Sequence, residues 1–181
     1  VDDATGEDAR DCGVAPALPC KTIHYAVMSR AADGAVVTVR GGVYRNDCGS
    51  NGTQPAAGES LTIVGAGGHA TVDCQGGGGA FFFNAARTAG SASTPGVGPT
   101  LLLKNVAVHN ASAAAGGGAV RAVGGGTLAL EGCLFTDCEG QHGGAVLTTD
   151  AQLNVSDSAF VRCSAVVGGG LFAEFPTDLV G

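Results

Sequence analysis

The sequence predicts an all-β fold: a right-handed parallel β-helix solenoid, with short strands wound into stacked coils and a short N-terminal capping α-helix. Three observations lead there. Gly-Gly followed by two apolar residues recurs at equal intervals, as Gly117-Gly118-Ala119-Val120, Gly143-Gly144-Ala145-Val146 and Gly169-Gly170-Leu171-Phe172. The strand-like copies TLLLKNVAVHN from Thr100, TLALEGCLFTDC from Thr127 and QLNVSDSAFVRC from Gln152 alternate apolar with variable residues, the period of a half-buried strand. Aligned copies place Leu101, Leu128 and Leu153 in one column, Leu103, Leu130 and Val155 in a second, and Val108, Phe135 and Phe160 in a third. Glycine supplies 32 of 181 residues without a Gly-X-Y period, which excludes collagen and suits repeated tight corners.

A repeat of this length, about 25 residues, has few solutions. A leucine-rich repeat needs its own L-x-x-L-x-L framework and asparagine, and WD40 and ankyrin units are longer. Stacked coils separated by the ~4.8 Å strand spacing bring like residues into interior ladders, here the Leu and Phe columns.

The elements follow in order. Residues 1–33 form an N-terminal lead-in and capping helix, and 34–181 form the coils. In PCKTIHYAVMSRAADG, Ile23, Ala26, Val27 and Ala31 recur at helical spacing, and Gly34 stands just beyond as a stop. Such a helix covers strand edges that the first coil would otherwise expose. GAVVTVRGGVYR (34–45) reads as strand, turn, strand, and ESLTIVGAGGHATVDC (59–74) as another coil. Gly78-Gly79-Ala80-Phe81 is an early copy of the corner, more than one repeat before the next, and RTAGSASTPGVGP between them reads as an inserted loop. GGGLFAEFPTDLVG begins a further coil with Leu171, Phe172 and Phe175 exposed, so the chain is expected to continue past Gly181. The absence of an initial methionine reads as a trimmed start.

Composition narrows the function. Apolar residues make up 45%, too many for a disordered chain. Nine Lys and Arg are scattered singly against a net charge of −7, so no basic stripe awaits nucleic acid. No run approaches the ~20 apolar residues of a membrane span. Seven cysteines without a CxxC pair lack zinc or thioredoxin spacing. Sequons at Asn51, Asn110 and Asn154 make these the candidate glycosylation sites, with Asn154 on the outward phase of its strand. Sequons and cysteines together predict a disulfide-bonded glycoprotein outside the cell or on its surface.

All seven cysteines are disulfide candidates. Cys12 and Cys20 flank a short proline-containing loop, and Cys48 and Cys74 can pair across the next coil. Cys138 and Cys163 align in adjacent coils, within disulfide range but with side chains pointing the same way, and Cys133 competes as a partner. Connectivity stays open at this level.

DDATGEDARDCGVAPALPCKTIHYAV followed by GAVVTVRGGVYR resembles the start of pectin-lyase-like β-helix proteins, in which a P-[CF]-K-T-I helix precedes a first coil ending in G-x-Y. Gly117 to Cys163 resembles polymorphic outer membrane protein repeats, marked by GGA[ILV] and FxxN. The chain keeps GGAV twice and the phenylalanine twice, at Phe135 and Phe160, and departs at the asparagine. The resemblance covers about residues 1–175 and implies the fold; lyases, hydrolases, adhesins and passive scaffolds all use it. The alanine and glycine bias suggests a GC-rich genome, and with the sequons it points to surface or ciliary proteins such as those of green algae.

Catalytic residues are not expected. His142 resembles part of the Gly-His-Gly motif of polygalacturonases, but equivalent corners at Gly116-Gly117-Gly118 and Gly168-Gly169-Gly170 lack a histidine. The corner therefore explains the glycines, and the histidine is an incidental occupant. A lyase needs acids and a base stacked on one face. Here Asp137 is level with Asn110 and Arg162, Asp157 with Gly132 and Asn105, and Lys104 and Arg40 stand alone. Asp2, Asp3, Glu7 and Asp8 read as a solvated loop, and His24, His69 and His109 lack metal-ligand spacing. No metal and no cofactor are expected. The reading is a non-catalytic structural or adhesive module of a surface, ciliary or cell-wall assembly. Its partners would be other subunits, further copies or glycans. The alternative is a polysaccharide lyase, hydrolase or carbohydrate-binding β-helix. Sugar stacking would need outward aromatics, and only Tyr25 and Tyr44 are expected outside the Phe ladders.

Overall fold

The computed structural model describes residues 1–13, 18–45, 47–50, 52–85, 95–114 and 116–174. They form a parallel β-solenoid of about five turns with one short N-terminal helix. The helix α1 spans Ile23–Arg30. Coil one contributes β1 (Ala35–Tyr44), and coil two β2 (Leu61–Asp73) and β3 (Phe81–Asn84). Coil three has β4 (Pro95–Lys104), β5 (Val106–His109), β6 (Ser112–Ala113) and β7 (Val120–Val123). Coil four has β8 (Gly126–Glu131), β9 (Leu134–Thr136), β10 (Glu139–His142) and β11 (Val146–Thr149). Coil five has β12 (Gln152–Ser156), β13 (Ala159–Val161), β14 (Ser164–Val167) and β15 (Leu171–Glu174).

Every pairing between these strands is parallel, and like strands stack on like. One sheet runs β1–β2–β4–β8–β12 and continues sideways into β5–β9–β13, because the long β2 pairs both β4 and β5. A second sheet is β6–β10–β14 and a third is β3–β7–β11–β15. A complete coil thus holds four short strands. GAVVTVRGGVYR is a single strand with a register shift between Arg40 and Gly42 rather than two strands and a turn.

The core is a set of ladders along the solenoid axis. Ala35, Leu61, Leu101, Leu128 and Leu153 are paired in register, as are Val37, Ile63, Leu103, Leu130 and Val155. A third ladder holds Tyr44, Val72, Val108, Phe135 and Phe160, with the last two rings 5.1 Å apart and nearly parallel. Strands β3, β7 and β8 bury alternate residues, and β8 alternates buried and half-buried side chains throughout. Leu128, Leu130 and Phe135 are fully buried, whereas Val155 is 42% exposed and Leu153 and Phe160 are half-buried. Among the described residues no strand lies beyond coil five, so its inward side chains have a neighbour on one side only.

The opposite end is closed by α1. Thr22 is its N-cap, with Oγ1 accepting from Tyr25 N at 3.1 Å. Asp8 in turn accepts from Lys21 N and Thr22 N at 2.9 Å each, and from Thr22 Oγ1 at 2.8 Å. Ile23 and Val27 are buried against the first coils. Asp2 is 6% exposed, accepts from Ala4 N and the Thr5 hydroxyl, and pairs with Arg40 at 2.8 Å. The acidic lead-in is therefore anchored, not merely solvated, and Arg40 is not alone. These carboxylates satisfy donors that a helix start and a turning chain leave open.

The last coil departs from the expected repeat. Val120 stands opposite Val146, but Val146 stands opposite Leu171, so the third sheet shortens its step by one position between coils four and five. Gly144 then faces Gly169, and Gly170 takes the place of Ala145. A Cβ on Gly170 would lie 3.1 Å from Phe160 Cβ, a tight contact that glycine avoids. Pro95 to Pro99, read as loop, belong to β4, with a register shift before Thr100, whereas 86–94 lie outside the described residues. Leu171 and Phe172 are half-buried in β15, which completes coil five, and Phe175 lies outside the described residues.

Disulfides join Cys12 to Cys20 and Cys48 to Cys74. The other three candidates, Cys133, Cys138 and Cys163, are thiols here. Cys133 is level with Ser158, whose Oγ accepts from its backbone N–H at 3.0 Å. It therefore occupies a different column from Cys138 and is no rival partner. Cys138 and Cys163 stack directly in one column.

Candidate functional site

The most densely functionalised surface is the corner between the second and third strands of each coil. Asn110, Asp137 and Arg162 occupy it in coils three, four and five, with φ of 51°, 54° and 51°. This left-handed turn lets the chain leave one sheet and enter the next. Asn and Asp tolerate it because their short polar side chains bond locally, and arginine is an uncommon occupant. Backbone bonds hold the stack: Asn110 N donates to Thr136 O at 3.1 Å and Asp137 N to Val161 O at 3.0 Å.

Arg162 grips Asp137 with two hydrogen bonds, Nε to Oδ1 at 2.5 Å and Nη2 to Oδ2 at 2.6 Å. This two-pronged donation holds the Asp137 carboxyl below the usual carboxylate range. His109 Nδ1 lies 2.7 Å from Thr136 Oγ1 and 3.4 Å from Asp137 Oδ2. Beside them opens a groove of about 590 Å³ lined by Asp73, Gln75, Asn110, Ser112, Asp137 and Glu139 among others. Asp73 accepts from Gln75 N at 3.2 Å and sits 3.6 Å from Arg45. The groove presents three carboxylates, two amides and a hydroxyl, a surface suited to polyhydroxylated or cationic ligands. Among the described residues no group of three or more His, Cys, Asp or Glu is arranged to hold a metal ion.

The sequence columns and this groove differ in an instructive way. Asp137 does stand level with Asn110 and Arg162, and Asp157 with Gly132. Yet Asp73, Asp137 and Glu139 come from neighbouring columns and open on one groove, which column-by-column reading misses. Lys104 is paired, to Glu131 Oε2 at 2.9 Å across coils. His142 lies on β10 with its ring against Phe172, centroids 5.6 Å apart. His69 Nε2 lies 3.1 Å from Gly132 O.

Of the glycosylation candidates, Asn154 is exposed on β12 and its Oδ1 accepts from Gln152 Nε2 at 3.3 Å. Asn110 is half-buried at the groove, and Asn51 lies outside the described residues. Outward aromatics include more than the tyrosines. Phe82 and Phe172 face outward on the third sheet, in one column with Arg121 and Leu147, and the Arg121 guanidinium lies 5.4 Å from the Phe82 ring centre. Tyr44 is instead an interior residue, 2% exposed, with its hydroxyl donating to Arg40 O at 2.9 Å.

Sequence reasoning also missed Asp47. It is 2% exposed; Oδ1 accepts from His24 N at 2.6 Å, while Oδ2 has no partner among the described residues. Burial pushes this carboxyl above the ordinary aspartate value. Nothing local marks Asp47, because its partner lies 23 residues earlier, at the start of α1.

Comparison with protein-family models, with curated proteins and with solved structures returns no match. Fold and site alone therefore define the class: a parallel β-solenoid with two disulfides in its N-terminal half and a polar, ion-paired corner in its C-terminal half. No helix among the described residues is long and apolar enough to cross a membrane.

Proposed function

We propose that this chain is a non-catalytic structural or adhesive module of the pectin-lyase-like type, part of an extracellular surface, ciliary or cell-wall assembly. Its mechanism is geometric. Strands locked in register make a stiff body whose flat outer faces repeat every coil, suited to contact with other subunits, further copies or glycans. The observation that carries this reading is the pairing of outer charges along and between coils. Arg40 with Asp2, Lys104 with Glu131 and Arg162 with Asp137 satisfy one another and do not converge on a reacting centre. Disulfides are consistent with an oxidising compartment. The sequons at Asn51, Asn110 and Asn154 fit the same setting.

One observation favours the alternative, a carbohydrate-binding or carbohydrate-cleaving β-helix: the groove that collects Asp73, Asp137 and Glu139. A single experiment separates the two. The protein isolated from its source is analysed by intact mass and native gel, with and without glycosidase, and the same material is screened for cleavage of acidic polysaccharides. Glycans within a larger assembly and no cleavage support the scaffold. A small unglycosylated monomer that shortens a polysaccharide overturns it.

A further inference from the structure

Two of the three thiols share one interior column. Thr136 pairs with Val161 and Glu139 with Ser164, so Cys163 of coil five lies directly on Cys138 of coil four. Ser164 N donates to Cys138 O at 2.9 Å, which ties the two corners together. Their surroundings differ. Cys138 is 1% exposed, its S–H directed at Thr136 O at 3.4 Å and Val108 O at 3.8 Å. Cys163, on coil five, is half-exposed and 3.5 Å from Phe135 O. The neighbouring Cys138 thiol favours a charge on Cys163, whereas Cys163 and then burial disfavour one on Cys138. Arg162, next in the chain, is within electrostatic reach of Cys163.

We propose that Cys138 and Cys163 form a thiol–disulfide exchange site, taking small-molecule or peptide disulfides, with Cys163 as the attacking sulfur and Cys138 as the resolving one. Access fixes the roles, since only Cys163 opens to solvent. The Cys163 thiolate attacks one sulfur of the incoming disulfide, forming a mixed disulfide and expelling one thiolate. Cys138 then attacks the Cys163 sulfur, its proton passing to the second sulfur as that one leaves, so that no free Cys138 thiolate is formed. The small disulfide is reduced to two thiols, and the protein's two thiols are oxidised to one bond. That bond staples coil five to coil four, at the end where interior side chains are least covered. Cys133 serves as an internal control: it is 2% exposed, its S–H is directed at Leu103 O at 3.3 Å, and burial pushes its thiol pKa up.

The test uses the full chain, glutathione disulfide as the probe, and peptide mapping under non-reducing conditions. The expected product is a Cys138–Cys163 cross-linked peptide, with Cys133 still a free thiol. Cys138→Ser should trap glutathione on Cys163, and Cys163→Ser should leave Cys138 unmodified. Glutathione that remains on Cys163 in the unaltered chain, or equal reaction at Cys133, overturns the proposal. Should a variant fail to fold, iodoacetamide labelling of the unaltered chain against pH decides. Asp137, Arg162, Glu139 and His109 all face this corner, and Cys163 should label with a midpoint below the ~8.5 of a free thiol. A midpoint at or above that value overturns the assignment.

Discussion

Truncating Phe135 should be far more damaging than truncating Phe160, although the two are equivalent residues of adjacent repeats. Phe135 is fully buried between Val108 and Phe160, in register with both. Burial of a phenylalanine removes roughly 200 Å² from water, about 5 kcal/mol at ~25 cal/mol per Å². Alanine retains about 1 kcal/mol of this, so Phe135→Ala should cost about 4 kcal/mol, in the ~3–5 kcal/mol range of such truncations. Phe160 is half-buried and, among the described residues, has a ring neighbour on one side only. Phe160→Ala should cost about half as much, roughly 2 kcal/mol. Urea unfolding measures both losses. Amide hydrogen exchange adds location: Phe160→Ala should loosen β12–β15 alone, and Phe135→Ala coils three to five, because repeat stability is set by nearest neighbours. Equal losses, or fraying confined to coil five in both variants, would refute the idea that the ladder is open at that end.

Further outcomes follow from single features. Asp47 has its folded pKa raised by burial, so its ionisation weakens the fold as pH rises from the unfolded value of ~3.9 towards the folded one. Asp47→Asn should abolish that fall, seen as a variant whose stability relative to the parent increases with pH in acid titrations. Asp2 runs the other way: the Thr5 hydroxyl and then the Ala4 N–H and Arg40 hold its pKa down, so its contribution is present above ~3.9 and lost as pH falls through the lowered value. The deficit of Asp2→Asn should thus shrink in acid. A Cβ at Gly144 would collide with Gly169 O and lie 2.6 Å from Ser164 N, whereas Gly34 has open space and only its φ of +76° to lose. Gly34→Ala should cost about 1–2 kcal/mol, and Gly144→Ala considerably more by thermal unfolding. Opening Cys48–Cys74, with a sequence separation of 26, should cost about 3.5 kcal/mol against about 2.5 kcal/mol for Cys12–Cys20, separation 8, by loop entropy in paired serine variants.

Much of the fold was legible because it is written in local periods. Alternating apolar residues in TLALEG and Ile23, Ala26 and Val27 in the helix carry their own signal, since side-chain direction follows backbone geometry within a few residues. The corner was less legible. Its acids come from Asp73 in coil two and from Asp137 and Glu139 in coil four, which share a groove only when coils are stacked. Asp8 reaches the N-cap from 14 residues away, and Asp2 reaches Arg40 from 38. No composition rule reports such pairs. Phe82 and Phe160 look alike in the chain, and strand phase sends one outward and the other into the ladder.

Repeat length, alternation and glycine corners were enough to specify the architecture, because stacked parallel coils are the arrangement that buries these residues. The stacking of Cys138 on Cys163 was legible from the repeat, whereas the register of the last coil and the burial of Asp2 and Asp47 emerged only from packing in three dimensions. The physical reason is one of range. Alternation and turn chemistry act between near neighbours, whereas register is set by how whole coils pack, as where Phe160 crowds position 170.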